Sequence, residues 1–152
     1  MTPTPGDAGP PPTLPPAPRP VGSYLPVVQL GNLAWVSGQI ALRDGAPLHP
    51  GLVDAEVSVD QAKEAAAQAT LQALSALTEA LGGLERIQRV VRVGVYVASS
   101  AGFTRQHEVA NGATDLLIAM LGESGRPARA AVGVARLPLN ASVEVELLVG
   151  TG

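Results

Sequence analysis

The stretch Val143-Glu-Val-Glu-Leu-Leu-Val149 alternates apolar and acidic side chains near the end of the chain. In a strand, that alternation sends Val143, Val145 and Leu147 to one face and Glu144 and Glu146 to the other. A second β-forming stretch, opened by Arg129, precedes it, and Leu137-Pro-Leu-Asn140 forms the turn between them. A sheet built on these strands has one apolar face to cover. Its other face holds two carboxylates that need water, cations or a ligand.

The cover is written upstream. Ser58-Val-Asp-Gln61 has the form of a capping box, and the helix it opens runs to Leu81 before Gly82-Gly83 ends it. Ala62, Ala65, Ala66, Ala69, Ala73, Leu74, Leu77 and Leu81 make one stripe, mostly alanine, that lets this helix lie close on a sheet. A second helix is expected from about Thr104 to Leu121, capped by Thr104 or Ser100. Val109, Ala113, Leu116, Leu117 and Met120 form its buried side, and Gly112 interrupts it.

Three further strands complete the set. Tyr24–Leu30 and Leu33–Ile40 flank a two-residue Gly31-Asn32 turn, with Pro26 marking an edge or irregular start. Gly38 interrupts the return strand, which suits a bulge or a close approach to a ligand. Arg89–Val97 is the third, with Val91, Val93, Val95 and Val97 assigned to one face, while Arg43–Val57 reads as an exposed loop. The order β-β-α-β-α-β-β describes an α+β two-layer sandwich, a mixed sheet with both helices on one face. The open face carries Arg92, Tyr96, Glu144 and Glu146 beside Gly94 and Ala131. Its apolar share suits burial in an oligomer.

Composition narrows the function classes. The 152 residues carry a net charge of −3 and no dense run of Lys or Arg, so nothing in the charge favours nucleic acid. No cysteine is present, which removes disulfides, thiolate nucleophiles and Cys-ligated metals, and fits a cytoplasmic protein. No segment reaches membrane-spanning length. Residues 1–20 hold nine of the 14 prolines and neither a basic nor an apolar block. They are expected to be a disordered leader without signal function, followed by one domain over 21–152. His49 and His107 lie far apart without acidic partners at ligand spacing, so no metal site is expected. Ser37 is not set in a nucleophile elbow.

With the elements placed, several motifs become recognisable in order. Gly22-Ser-Tyr24, Gly31-Asn-Leu-Ala-Trp-Val-Ser-Gly-Gln-Ile40, Pro127-Ala-Arg129, Val134-Ala-Arg-Leu-Pro138 and Val143-Glu-Val-Glu146 resemble the RidA family of enamine/imine deaminases, also called the YjgF or L-PSP family. The resemblance covers Val21 to Val149. It implies a chorismate-mutase-like protomer assembled as a homotrimer, with sheets forming a central barrel and ligand sites in the clefts between subunits. It also implies a small carboxylate-bearing substrate and neither metal nor organic cofactor.

By resemblance, Arg129 is the carboxylate anchor and Glu144 the water-positioning acid. Tyr24, Gly38 and the Ala130-Ala131 pair border the substrate, and Glu146 is scaffolding. A guanidinium fork takes a carboxylate bidentately, and a carboxylate can orient water toward the electrophilic C2 of a 2-imino acid. Ala131 stands where the best-known branch of the family has a cysteine. The region from Phe103 to Gly125 is longer than in that branch, and His107 falls where an asparagine would be expected. Besides a deaminase, a non-catalytic small-molecule-binding trimer and, less favoured, an endoribonuclease fit the same family.

Overall fold

The computed structural model describes residues 9–152. In chain order the strands and helices are β1 (Val27–Leu30), β2 (Leu33–Ile40), β3 (Leu42–Arg43), β4 (Ala46–Pro47), α1 (Val59–Leu81), β5 (Ile87–Ala98), α2 (Gln106–Leu121), β6 (Ala128–Val134) and β7 (Val143–Thr151). Five strands form one sheet in the order β1-β2-β7-β5-β6, antiparallel throughout except for the parallel β5–β6 pair. The architecture is the expected α+β sandwich. Among the described residues no helix is long and apolar enough to cross a membrane.

Local chemistry accounts for the elements. Gly31 turns the β1–β2 hairpin with φ 59°, setting Leu30 opposite Leu33 and Val28 opposite Trp35. Ser58 caps α1 by accepting from the Gln61 amide at 3.1 Å, while the Gln61 side chain accepts from the Ser58 amide at 3.0 Å. Gly82 closes the helix in the left-handed conformation, φ 92°. Seven residues of the predicted stripe, Ala62 through Leu77, are fully buried against Val36, Val90, Val93, Val145 and Leu147.

The two helices meet at Gly112, where a Cβ would fall 2.2 Å from the Lys63 carbonyl oxygen. The glycine that interrupts the helical pattern is therefore what lets α2 lie against α1. This contact is too close for any side chain.

Four expectations need correction. Val91 does not join Val93, Val95 and Val97 in the core: a register shift between Val90 and Arg92 buries Val90 and leaves Val91 37% exposed on the open face. Ala131 is not on the open face; it packs against the core on the helix side, and Ala130 takes the open side in register with Gly94. The 43–57 segment contains a short β3–β4 hairpin turned by Asp44 and Gly45, both at positive φ. Finally, neither Ser100 nor Thr104 caps α2. Arg105 occupies the N-cap with no side-chain cap bond, and the Ser100 hydroxyl donates to Asp54 at 3.2 Å instead.

The proline-rich stretch runs without regular secondary structure from residue 9 to 20, and residues 1–8 lie outside the described part. Leu14 packs against the core, and Ser75 of α1 donates to the Pro15 carbonyl at 2.7 Å. Proline limits the freedom of the unfolded segment, so a few contacts are enough to hold this strap against α1.

Candidate functional site

The alternation of β7 delivers Glu144 to the open face, in register with Tyr96 of β5 and Ile40 of β2. There β2 is bulged between Val36 and Gln39, as the glycine in its sequence suggested. Ser37 takes part in the bulge: its amide donates to the Pro26 carbonyl at 2.9 Å and its hydroxyl to the Leu25 carbonyl at 2.6 Å. Gly38, next in the chain, passes directly beneath Glu144. A Cβ on Gly38 would stand 2.2 Å from Glu144 Oε1, so the carboxylate occupies the space a side chain would need.

The two acids of β7 differ in their surroundings. Glu146 accepts a hydrogen bond from the Tyr96 hydroxyl at 2.7 Å and from Arg92 Nη1 at 3.2 Å. That hydrogen bond, followed by burial, raises the Tyr96 pKa above its ordinary value. Glu144 is half-buried and accepts from none of the described side chains. Burial, and then the charge of Glu146, lift its pKa above the usual carboxylate range. A carboxylate with open lone pairs and raised basicity is suited to binding and orienting water.

Tyr24 and Gly38 line one cavity of about 380 Å³ with Arg19, Ile40, Leu42 and Leu139. Its wall is clamped by Gln72, which donates to the Ile40 carbonyl and accepts from the Leu42 amide, both at 2.8 Å. A larger surface groove of about 670 Å³ runs past Asp54, Asp60, Lys63 and Glu108; Tyr24, Gly38 and Glu144 do not line it.

Arg129 lies elsewhere. It sits on β6 at the far edge of the sheet, in register with the buried Val93, and its side chain is on the helix side. Residues of α2 hold it: Nη1 donates to Asn111 Oδ1 at 2.7 Å and Thr114 Oγ1 at 3.3 Å, and Nη2 to the His107 carbonyl at 3.3 Å. Within one chain, then, Arg129 and Glu144 are on opposite faces with β5 between their strands. Tyr24, Gly38 and Glu144 form one half of the expected constellation, Arg129 with Ala131 the other, and Ala130 faces the open side.

Asn111 and Thr114 were not anticipated as partners of Arg129. Their signal was a pair of polar residues three apart on α2, flanking the buried Ala110 and Ala113. The histidines have separate surroundings. His49 Nε2 lies 2.9 Å from Glu64 Oε2, while Arg43 donates to Oε1 of the same carboxylate; His107 meets Arg129 through its backbone. The hydrogen bond from His49 leads in lowering the Glu64 pKa. Among the described residues no group of three His, Cys, Asp or Glu converges as a metal site.

A two-layer α+β sandwich with both helices on one face and an acid-bearing open sheet face has the chorismate-mutase-like form. The family model described as Endoribonuclease L-PSP matches residues 15–150. The chain belongs to this family, which is also the RidA or YjgF family. Protein TCP17 of Trypanosoma cruzi is 44% identical over 90% of this chain and 86% of its own length. A 2-iminobutanoate/2-iminopropanoate deaminase of Dermatophagoides farinae is 32% identical over 90% of this chain and 92% of its own. The crystal structure of protein Atu1372 of Agrobacterium tumefaciens, of unknown function, superposes with a TM-score of 0.83 at 44% identity, covering 84% of this chain and 82% of that one.

Proposed function

We propose that this protein hydrolyses small reactive 2-imino acids and their enamine tautomers, of the 2-aminoacrylate type, to 2-keto acids and ammonia without a cofactor. The observation that carries the reading is Glu144: a half-buried carboxylate of raised pKa, free of hydrogen-bonding partners among the described side chains and held over Gly38 beside a cavity. Membership in a family that includes a 2-iminobutanoate/2-iminopropanoate deaminase supports it.

The site is completed between subunits of a homotrimer. Its open face exposes Val28, Leu30, Leu33, Trp35, Val91 and Val132, and a cluster of large apolar side chains on one face is a feature of interaction surfaces. Trp35 alone remains 52% exposed. The edge strand β6 offers unpaired backbone groups beside Arg129, a further reason for a neighbour there.

In the proposed reaction Arg129 binds the substrate carboxylate through its fork, with Asn111 and Thr114 fixing the guanidinium plane. Glu144 of an adjacent subunit orients water and accepts a proton as the oxygen adds to C2 of the iminium. The carbinolamine nitrogen takes that proton back from Glu144, ammonia leaves as the C–N bond breaks, and the hydroxyl proton passes to the Glu144 carboxylate as the keto carbonyl forms. Imines of this kind already hydrolyse in water, so positioning is the main contribution required.

The test is an amino-acid oxidase that generates the imine in the presence of the protein. Keto acid and ammonia should form faster than in the oxidase alone, and Arg129→Ala should remove the gain. Unchanged rates across a panel of imino acids, with a carboxylate still bound, would favour a non-catalytic binding trimer. An endoribonuclease is disfavoured by the net charge of −3 and by histidines held on separate elements.

A further inference from the structure

The cavity that joins Tyr24 and Gly38 has features that a small imino acid leaves unused. At about 380 Å³ it lies within the range of small-molecule sites and far exceeds what a methyl or ethyl side chain fills. Its lining is largely apolar, and its one charged lining residue is Arg19, carried by the proline-rich strap. The two amides in the wall already have partners: Gln72 bridges Ile40 and Leu42, and Gln39 donates to the Ser37 carbonyl at 3.1 Å. Arg19, by contrast, makes no ion pair or side-chain hydrogen bond with any described residue. Glu79 borders the adjoining groove with it but is not bonded to it.

The strap holds this cation in place. Leu14 is packed against the core and the Pro15 carbonyl is bonded to Ser75, four residues before Arg19. Pro18 and Pro20 flank Arg19, and a residue before proline is confined to extended conformations. Arg19 is thus carried on a stiff segment that lines the same cavity as Gly38, the residue against which the Glu144 carboxylate packs.

We propose that this cavity is the side-chain subsite of the imino-acid site and that Arg19 makes it selective for substrates bearing a second, side-chain carboxylate, that is, 2-imino dicarboxylates. The proposal rests on the deaminase reading for the identity of the reacting end. Arg129 takes the carboxylate next to C2, and Arg19 takes the distal one by a charge-assisted hydrogen bond.

The test measures binding of the two keto-acid products 2-oxoglutarate and 2-oxobutanoate by calorimetry, to the full chain and to Arg19→Ala and Arg19→Lys. One charge-assisted hydrogen bond corresponds to a preference of roughly tenfold or more for 2-oxoglutarate. Arg19→Ala should bring the two affinities to near parity, and Arg19→Lys should keep part of the preference. Equal affinities in the unaltered protein, failure of both acids to bind, or a preference that survives Arg19→Ala would each overturn the proposal. Turnover of 2-iminobutanoate, measured separately, tests the deaminase reading. Its failure leaves the binding preference standing, and the reverse outcome sinks the subsite alone.

Discussion

Gly38 and Glu144 occupy the same space: the carboxylate of Glu144 lies where a side chain on residue 38 would have to be, 2.2 Å from its Cβ position. The obstructing atoms are the far end of a flexible side chain, and the backbone of Gly38 is not in the left-handed region. Gly38→Ala should therefore fold and melt close to the unaltered protein while pushing the carboxylate off its position. A misplacement of about 1 Å can cost on the order of a hundredfold in rate. A thermal melt beside the imine-hydrolysis assay checks this, and retained activity would show that the position of Glu144 is immaterial.

The raised pKa of Glu144 gives a pH signature with a definite sign. Because the folded state holds this proton more tightly than the unfolded chain, ionising Glu144 costs stability. The cost is absent below the unfolded value of about 4.3 and grows as pH rises to the folded value. Glu144→Gln should be the more stable form at neutral pH, and the difference should vanish at pH values below the ordinary carboxylate range. Imine hydrolysis should show the complementary trend, rising with pH through a midpoint above that range as the base form appears. Urea unfolding at two pH values and a pH–rate profile supply the two readouts.

Arg129 is useful as a fork because α2 fixes its plane. Arg129→Lys keeps the charge but loses the bidentate geometry, so kcat/KM should fall about a hundredfold. Asn111→Ala removes the 2.7 Å bond to Nη1 and should raise KM by about tenfold, with a smaller change in kcat. Steady-state kinetics on both variants separate this from a merely structural role, which would lower the amount of folded protein and leave KM unchanged.

Gly112 is a stability element. Its Cβ would meet the backbone of Lys63, which cannot swing aside. Gly112→Ala should part α1 from α2 and destabilise the fold by about 1–3 kcal/mol, although alanine is the better helix former. Chemical denaturation would reveal it, and a stabilised variant would contradict the packing described.

Which parts of this were legible in the sequence follows from what each pattern encodes. The alternation through Val143–Leu147, the capping box at Ser58 and the turn at Gly31 are local rules, and each holds in the structure. The face of Val91 was not legible, because a one-residue register shift in β5 leaves no trace in a run of valines. Nor was the side of Ala131, since small residues suit either face. The docking of Leu14 and Pro15 depends on a hydroxyl sixty residues away, which proline content alone does not reveal. Arg129 and Glu144 were identified by resemblance. Their placement on opposite faces is set by strand order, which the sequence does not state.

The central claim is that Arg129 and Glu144 from different subunits make one site. Arg129→Ala and Glu144→Gln, each inactive alone, can be unfolded together in equal amounts and refolded. In a ring of three subunits with head-to-tail contacts, random mixing restores both residues in about a quarter of the sites. A shared site should recover about a quarter of the unaltered activity in the mixture and none in either variant refolded by itself. A mixture as inactive as its components would contradict it.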